Sequence, residues 1–264
     1  MVKHWYNGSA IEGDQIQLSI NDPGLIYGAT TFTTLRVYQS LDHALTQWDE
    51  HCDRLKTTIA AFHWQDPNWN NIRSGAEWMA LHYPTLRVVV FPDGREWITG
   101  RSLPLDLAQR QQQGITAWVA ESELSRSLPQ HKTGNYLAPW LALQTAQQLN
   151  AQEAILIDQH GNWLESSTGT LWGWKDDRWW TPPLSTGILP GLLRSRLVPE
   201  LSPIEEAWTA EVVKGFEAIA YTNCVMELIP IHTVLDRDQK YHYNSAHTKF
   251  QQIRNLFLSN STDL

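Results

Sequence analysis

His131-Lys132-Thr133-Gly134-Asn135-Tyr136 joins two stretches of different periodicity. Upstream, Ile115 to Val119 alternates as a strand does. Downstream, Tyr136 to Leu149 predicts a helix, with Leu137, Trp140, Leu141, Leu143 and Ala146 supplying its apolar side chains. Ala154 to Ile157 then predicts another strand. Lys132 is therefore expected on a loop that opens a helix, in a chain with only seven lysines. A partly buried lysine loses its charge readily and can attack a carbonyl carbon. From the residues alone, an ordinary exposed lysine is the plainer reading.

Working outward, Trp5-Tyr6, Asn7-Gly8 and Ser9 to Ile11 read as a hairpin. Gln15 to Leu18 reads as a further strand, and Thr30 to Tyr38 as a longer one. Trp48 to Phe62 predicts a helix with Leu55, Ile59 and Phe62 on one face, and Asn68 to Leu81 predicts another. Leu86 to Phe91 and Glu96 to Thr99 pair as strands. The polar run Gln109 to Gln113 interrupts the pattern and helps place a boundary at residues 101–113. The expected division is 1–108, a small α/β domain, and 109–264, a larger α/β domain carrying Lys132. Beyond it, Trp163 to Glu165, Leu171 to Trp174, Arg178 to Thr181, Ala218 to Tyr221 and Leu228 to Pro230 read as strands. His247 to Leu256 predicts a closing helix. Strands and helices are mixed throughout, which predicts an α+β fold.

The chain has 264 residues and a net charge of -8, enough length for a substantial core and a poor balance for gripping nucleic acid. No run reaches 18 apolar residues, so no membrane span is expected. Met1 to Gly8 shows no targeting segment, and Cys52 and Cys224 read as reduced thiols, so a cytoplasmic setting is expected. The histidines are scattered, and no metal site is expected.

Five further features could carry chemistry. Glu165, in Trp163-Leu164-Glu165-Ser166-Ser167-Thr168-Gly169-Thr170, could face a protonated ring nitrogen or cap a turn. Gly187 to Arg194 puts glycine ahead of a helix, where N–H groups can approach a phosphate, or simply joins loop to helix. Tyr221-Thr222-Asn223 offers donors to an anion or caps a turn. In His51-Cys52-Asp53-Arg54-Leu55, Arg54 could fork onto phosphate or make a surface ion pair. Tyr27-Gly28 and Phe32-Thr33-Thr34-Leu35-Arg36 place polar groups along a strand, with Thr34 and Arg36 on the face opposite Thr33 and Leu35.

Taken in order, from Asp22-Pro23-Gly24 to Thr222-Asn223, these pieces resemble the fold-type IV pyridoxal-phosphate (PLP) enzymes. That family includes branched-chain aminotransferases, D-amino acid aminotransferases and 4-amino-4-deoxychorismate lyases. The resemblance implies a two-domain, D-amino acid aminotransferase-like architecture and pyridoxal 5'-phosphate as cofactor. It implies that Lys132 is catalytic and holds the cofactor, and that Glu165 faces the pyridine nitrogen. It implies that Arg54 grips the phosphate, that Leu192 and Leu193 offer it main-chain N–H groups, and that Thr222 lies near it. Tyr136 matches an aromatic position after the lysine. Three positions depart from the family pattern. Thr170 stands where Asn is common, Pro190 removes an N–H before Gly191, and Cys224 replaces a hydroxyl residue.

Within the family, the short chain and Phe32-Thr33-Thr34 look like the lyase, since branched-chain enzymes tend to carry Phe-Glu-Gly there. The resemblance then implies 4-amino-4-deoxychorismate as substrate, 4-aminobenzoate and pyruvate as products, and a place in folate biosynthesis. Tyr27, Thr34 and Arg36 are the expected substrate-side groups. An aminotransferase acting on branched-chain or D-amino acids is the alternative. A homodimer is implied, with the site between domains and near the subunit interface. No nucleic acid or membrane partner is expected.

Overall fold

A computed structural model describes residues 2–258. The chain forms two compact units. The first runs to Pro104 and takes in His131–Asn135; the second is Leu105–Gln130 together with the chain from Tyr136 onward.

The first unit contains β1 (Lys3–Tyr6), β2 (Ser9–Glu12), α1 (Pro23–Ile26), β3 (Thr31–Arg36), α2 (Trp48–Ala61), α3 (Trp69–Ala80), β4 (Thr85–Val90) and β5 (Glu96–Arg101). Its strands form an antiparallel sheet in the order β2-β1-β5-β4-β3. The β1–β2 hairpin turns at Asn7 and Gly8, whose φ values of 47° and 77° match the tight hairpin turn that this dipeptide favours. Leu55 and Ile59 of α2 and Ile72, Ala76 and Met79 of α3 pack with Leu35, Leu86, Val88 and Ile98 of the sheet. Truncating a buried leucine or isoleucine in such a core costs about 2–5 kcal/mol. Phe62 lies just beyond α2 and is only half-buried. Asn68 opens α3 by accepting the N–H groups of Asn70 and Asn71. Gln15 to Leu18 is not a strand; these residues lie outside every ladder, with no neighbouring strand to accept them.

β3 is the edge of this sheet, and its free side is taken by the Lys132 segment. Phe32 N–H donates to the Lys132 carbonyl at 2.9 Å, and Gly134 N–H donates to the Thr30 carbonyl at 2.7 Å. The Thr31 hydroxyl donates to the same Lys132 carbonyl at 3.2 Å. A β-bridge pairs Thr31 with Thr133. This ladder is why His131–Asn135 falls in the first unit, and why the observed division differs from 1–108 and 109–264. The polar run near the expected boundary is itself helical.

The second unit contains α4 (Leu107–Gln113), β6 (Ile115–Val119), α5 (Leu137–Gln148), β7 (Glu153–Ile157), β8 (Trp163–Ser166), β9 (Thr170–Lys175), β10 (Arg178–Thr181), α6 (Leu192–Leu201), β11 (Ile204–Glu205), α7 (Ala210–Lys214), β12 (Ala218–Asn223), β13 (Glu227–Asp236), β14 (Gln239–His242) and α8 (Phe250–Leu258). The sheet order is β11-β10-β9-β12-β13-β6-β7-β8, with β14 also on β13. β10–β11, β13–β6 and β6–β7 pair in parallel, and the rest antiparallel. α5 turns Ala142 and Ala146 inward against Ala154 and Leu156, while Leu137, Trp140 and Leu141 stay exposed. Trp163, Trp172 and Trp174 are buried, and Trp140 is not. Among the described residues, no helix is long and apolar enough to cross a membrane.

Gly134 tests the edge ladder. A Cβ there would sit 2.1 Å from Thr30 Oγ1 and 2.9 Å from the Gly28 carbonyl oxygen. Gly134→Ala should therefore lift the Lys132 segment from β3 and destabilise the protein by about 1–3 kcal/mol, read as a lower urea midpoint. An unchanged midpoint would contradict this packing.

Candidate active site

In the first unit, Lys132 is half-buried, and its Nζ lies 4.7 Å from the centre of the Phe32 ring. The guanidinium of Arg87 also meets that ring, at 3.6 Å. Before the lysine, His131 is held by the Thr58 hydroxyl at 3.3 Å and by the ring of Phe62. Main-chain pairing and side-chain packing thus fix the lysine's position on both sides.

His51 and Arg54 are three residues apart on α2 and so share a face of that helix. Arg54 Nη2 donates to Thr33 Oγ1 at 2.6 Å, and Thr33 Oγ1 lies 2.5 Å from His51 Nδ1. Burial, together with the charges of Arg54 and Lys132, pushes the His51 pKa well below its usual value. Thr33 therefore points toward α2. By strand alternation Thr34 and Arg36 share the other face, as expected, and both are half-buried. Arg36 lies over the Tyr38 ring at 4.7 Å. Tyr27, just after α1, is exposed.

In the second unit, Glu165 is buried near the end of β8. Its Oε1 accepts from Arg126 Nε at 2.8 Å, and both side chains are 5 % exposed. Its Oε2 accepts the Leu189 N–H at 3.4 Å, which ties the glycine-flanked loop to the glutamate. Burial works against the Arg126 charge, but Glu165 and Tyr136 outweigh it and raise the arginine's pKa. The Tyr136 hydroxyl donates to the Ser167 carbonyl, and Arg126 Nη2 reaches that carbonyl at 3.4 Å.

The loop after Glu165 rests on a carboxylate that sequence reading passed over. Glu153, fully buried at the start of β7, accepts the hydroxyls of Ser167 and Thr168, the latter at 2.5 Å, and the Ala154 N–H at 3.0 Å. Burial raises its pKa, against those hydrogen bonds. Arg126 and His51 were also missed as chemical groups. One signal was present for Glu153: a single acid opening the apolar run Ala154 to Ile157. Arg126 lies in a loop with no periodicity to place it.

Leu192 and Leu193 begin α6 after Gly191, which caps the helix without a side-chain hydrogen bond. A Cβ at Gly191 would come 2.9 Å from Thr170 Oγ1, so any larger residue would have to displace that hydroxyl. Thr222 is buried, and its Oγ1 accepts the Trp172 indole N–H at 2.9 Å. Asn223 caps the turn into β13 by accepting the N–H groups of Val225 and Met226. Cys224 in that turn is half-buried.

The sequence profile described as Amino-transferase class IV matches residues 30–234, most of the chain. The chain belongs to the class IV aminotransferase family. It is 23% identical to the putative branched-chain-amino-acid aminotransferase of Methanocaldococcus jannaschii, over 88% of each chain. It is 21% identical to the aminodeoxychorismate lyase of Vibrio harveyi, over 79% of this chain and 80% of that one. The crystal structure of the Escherichia coli branched-chain amino acid aminotransferase superposes with a TM-score of 0.81 at 21% identity, covering 98% of this chain and 94% of that one. The class IV fold is thus α+β and two-domain, of the fold-type IV PLP-enzyme architecture.

The residues present fit PLP. In the first unit the Arg54 guanidinium suits a phosphate, and in the second the uncapped N-terminus of α6 has the same chemistry. The buried Glu165 carboxylate suits a ring N–H, and Lys132 supplies an amine. Ser166 Oγ is buried with no hydrogen-bond partner among the described residues. A buried polar atom of this kind marks a place where a bound group can complete the bonding.

The Arg126–Glu165 pair carries its own test. Removing one partner of a buried pair strands the other charge and costs about 3–5 kcal/mol. Arg126→Met should lower the urea midpoint accordingly, and Glu165→Gln added to it should recover much of the loss. Simple additivity of the two changes would show that the pair is not coupled.

Proposed function

We propose that this class IV chain is a PLP-dependent aminotransferase, moving an amino group from an amino acid to a 2-oxo acid. Lys132 carries the PLP reading: an amine on a segment pinned to β3, in a family whose fold binds PLP. Aminotransferase names dominate the similar proteins, including branched-chain enzymes covered over more than four-fifths of both chains, which favours transfer over elimination.

When bound, PLP supplies an electron sink for the carbon that bears the substrate nitrogen. Lys132 Nζ would hold the cofactor and serve as the base for the proton on that carbon. Such work requires a neutral amine in close reach. Glu165, steadied by Arg126, would accept a hydrogen bond from the protonated ring nitrogen. Arg54, the Leu192 and Leu193 N–H groups and Thr222 would serve the phosphate, and Tyr136 the ring. Tyr27, Thr34 and Arg36 meet the substrate. The exposed apolar stripe Leu137, Trp140 and Leu141 supports a second copy of the chain as partner.

A second reading, 4-amino-4-deoxychorismate lyase, is favoured by Phe32-Thr33-Thr34 and by the likeness to the Vibrio harveyi enzyme. Here the same proton would be removed, the C–O bond to the enolpyruvyl group would break as the ring aromatises to 4-aminobenzoate, and a proton returned to the departing enolpyruvate would give pyruvate.

Two assays on the purified protein with PLP separate these readings. Branched-chain or D-amino acids with 2-oxoglutarate should yield glutamate and a new 2-oxo acid. Release of 4-aminobenzoate and pyruvate from the aminochorismate, without transfer, would establish the lyase instead. Borohydride reduction should leave the phosphopyridoxyl label on the Lys132 peptide, found by mass spectrometry. Lys132→Ala should lose that label and at least about 10²–10⁴-fold in turnover. A label elsewhere would overturn the lysine assignment.

A further inference from the structure

Hydrogen-bond bookkeeping around Arg54 leads beyond the residues that would touch cofactor. A guanidinium can only donate, so Thr33 Oγ1 is the acceptor of the 2.6 Å bond from Arg54 Nη2. The hydroxyl's own proton must then go elsewhere, and His51 Nδ1 lies 2.5 Å away. Giving that proton an acceptor assigns Nδ1 as the acceptor and His51 as the neutral tautomer with its proton on Nε2. A protonated His51 would instead donate from Nδ1 to the second lone pair of Thr33 Oγ1 and take away the acceptor for the hydroxyl proton. It would also add a third positive charge beside Arg54 and Lys132, both of which already act on it.

The other nitrogen sharpens the point. His51 is 1 % exposed, and its Nε2 has no hydrogen-bond partner among the described residues. Burying a donor unmet is unfavourable, and a leucine at this position would avoid it. What histidine supplies here, and leucine cannot, is the acceptor at Nδ1.

We propose that Thr33 and His51 are positioning residues that preset the Arg54 guanidinium for the phosphate of PLP. This role rests on the phosphate-binding role of Arg54 in the proposed function. Arginine has four flexible side-chain torsions, and freezing them at binding weakens affinity. The Thr33 bond freezes them beforehand. His51 in turn fixes the rotamer of the Thr33 hydroxyl. Both anchors stand on regular elements, β3 and α2, which hold a functional group more tightly than a loop does. Thr33 is thus spent on the phosphate side, which leaves Thr34 and Arg36 for the other face of β3.

The test is a pair of titrations, with PLP and with pyridoxal, which lacks the phosphate. Binding is followed by the absorption of the bound ligand. Thr33→Val keeps the shape and loses the hydroxyl. It should raise the PLP dissociation constant by about 10-fold or more while leaving pyridoxal within about 2-fold. Thr33→Ser, which keeps the hydroxyl, should bind PLP nearly as wild type does. His51→Leu should weaken PLP in the same selective way. Equal weakening of both ligands by Thr33→Val would show a general structural role and overturn the proposal. So would unchanged PLP affinity. Wild-type protein that binds PLP no better than pyridoxal would instead overturn the assignment of Arg54, and the positioning role with it.

Discussion

The Lys132 segment is held still by the edge of β3. The Lys132 carbonyl accepts from the Phe32 N–H and the Thr31 hydroxyl, and Gly134 returns a bond to Thr30. The segment is thereby treated as sheet although it belongs to a connection between β6 and α5. The geometry around the lysine depends on this ladder. It gives the lysine a fixed backbone, lays the Phe32 ring under its ammonium, and requires glycine two residues later. It also gives the start of β3, from Thr30 to Phe32, a partner on its outer side.

Electrostatics divides the work between the units. The net charge of -8 would not draw in a phosphate or a carboxylate substrate, so attraction has to be local. The first unit gathers positive charge, with Arg54 and Lys132 near a histidine kept neutral by burial and by those same charges. The second unit buries an ion pair, Arg126 with Glu165, whose members compensate each other. A carboxylate alone at that depth would be too costly to keep ionised, whereas one already paired can also accept a hydrogen bond from a ligand.

The fold was legible in the sequence where burial imposes one period. Leu55 and Ile59, or the alternation of β3, report directly on the faces they bury. Legibility failed where polar residues do structural work. Gln109 to Gln113 looks like an interruption, yet glutamine and arginine are good helix formers, and buried Leu107 suffices to seat α4. β13 runs from Glu227 to Asp236, well past the expected Leu228 to Pro230. Pro230, His232 and Thr233 break the apolar run that signals a strand. The order of Lys132, Glu165 and Gly191 carried the resemblance to the family, and it is the family that the class IV profile match bears out. Arg126 and the Thr33–His51 link were not readable, since they are long-range hydrogen bonds that leave no local pattern, and Glu153 left only the trace of one acid at the head of an apolar run.

Those long-range bonds also resolve the departure at Thr170. A family asparagine there would bring an amide to the glutamate loop, and its absence leaves open what steadies that loop. Glu153 supplies the answer from another strand. Its two oxygens take the Ser167 and Thr168 hydroxyls, while Tyr136 and Arg126 hold the Ser167 carbonyl. Position 170 is then released for a different task, packing its hydroxyl against Gly191 at the start of α6.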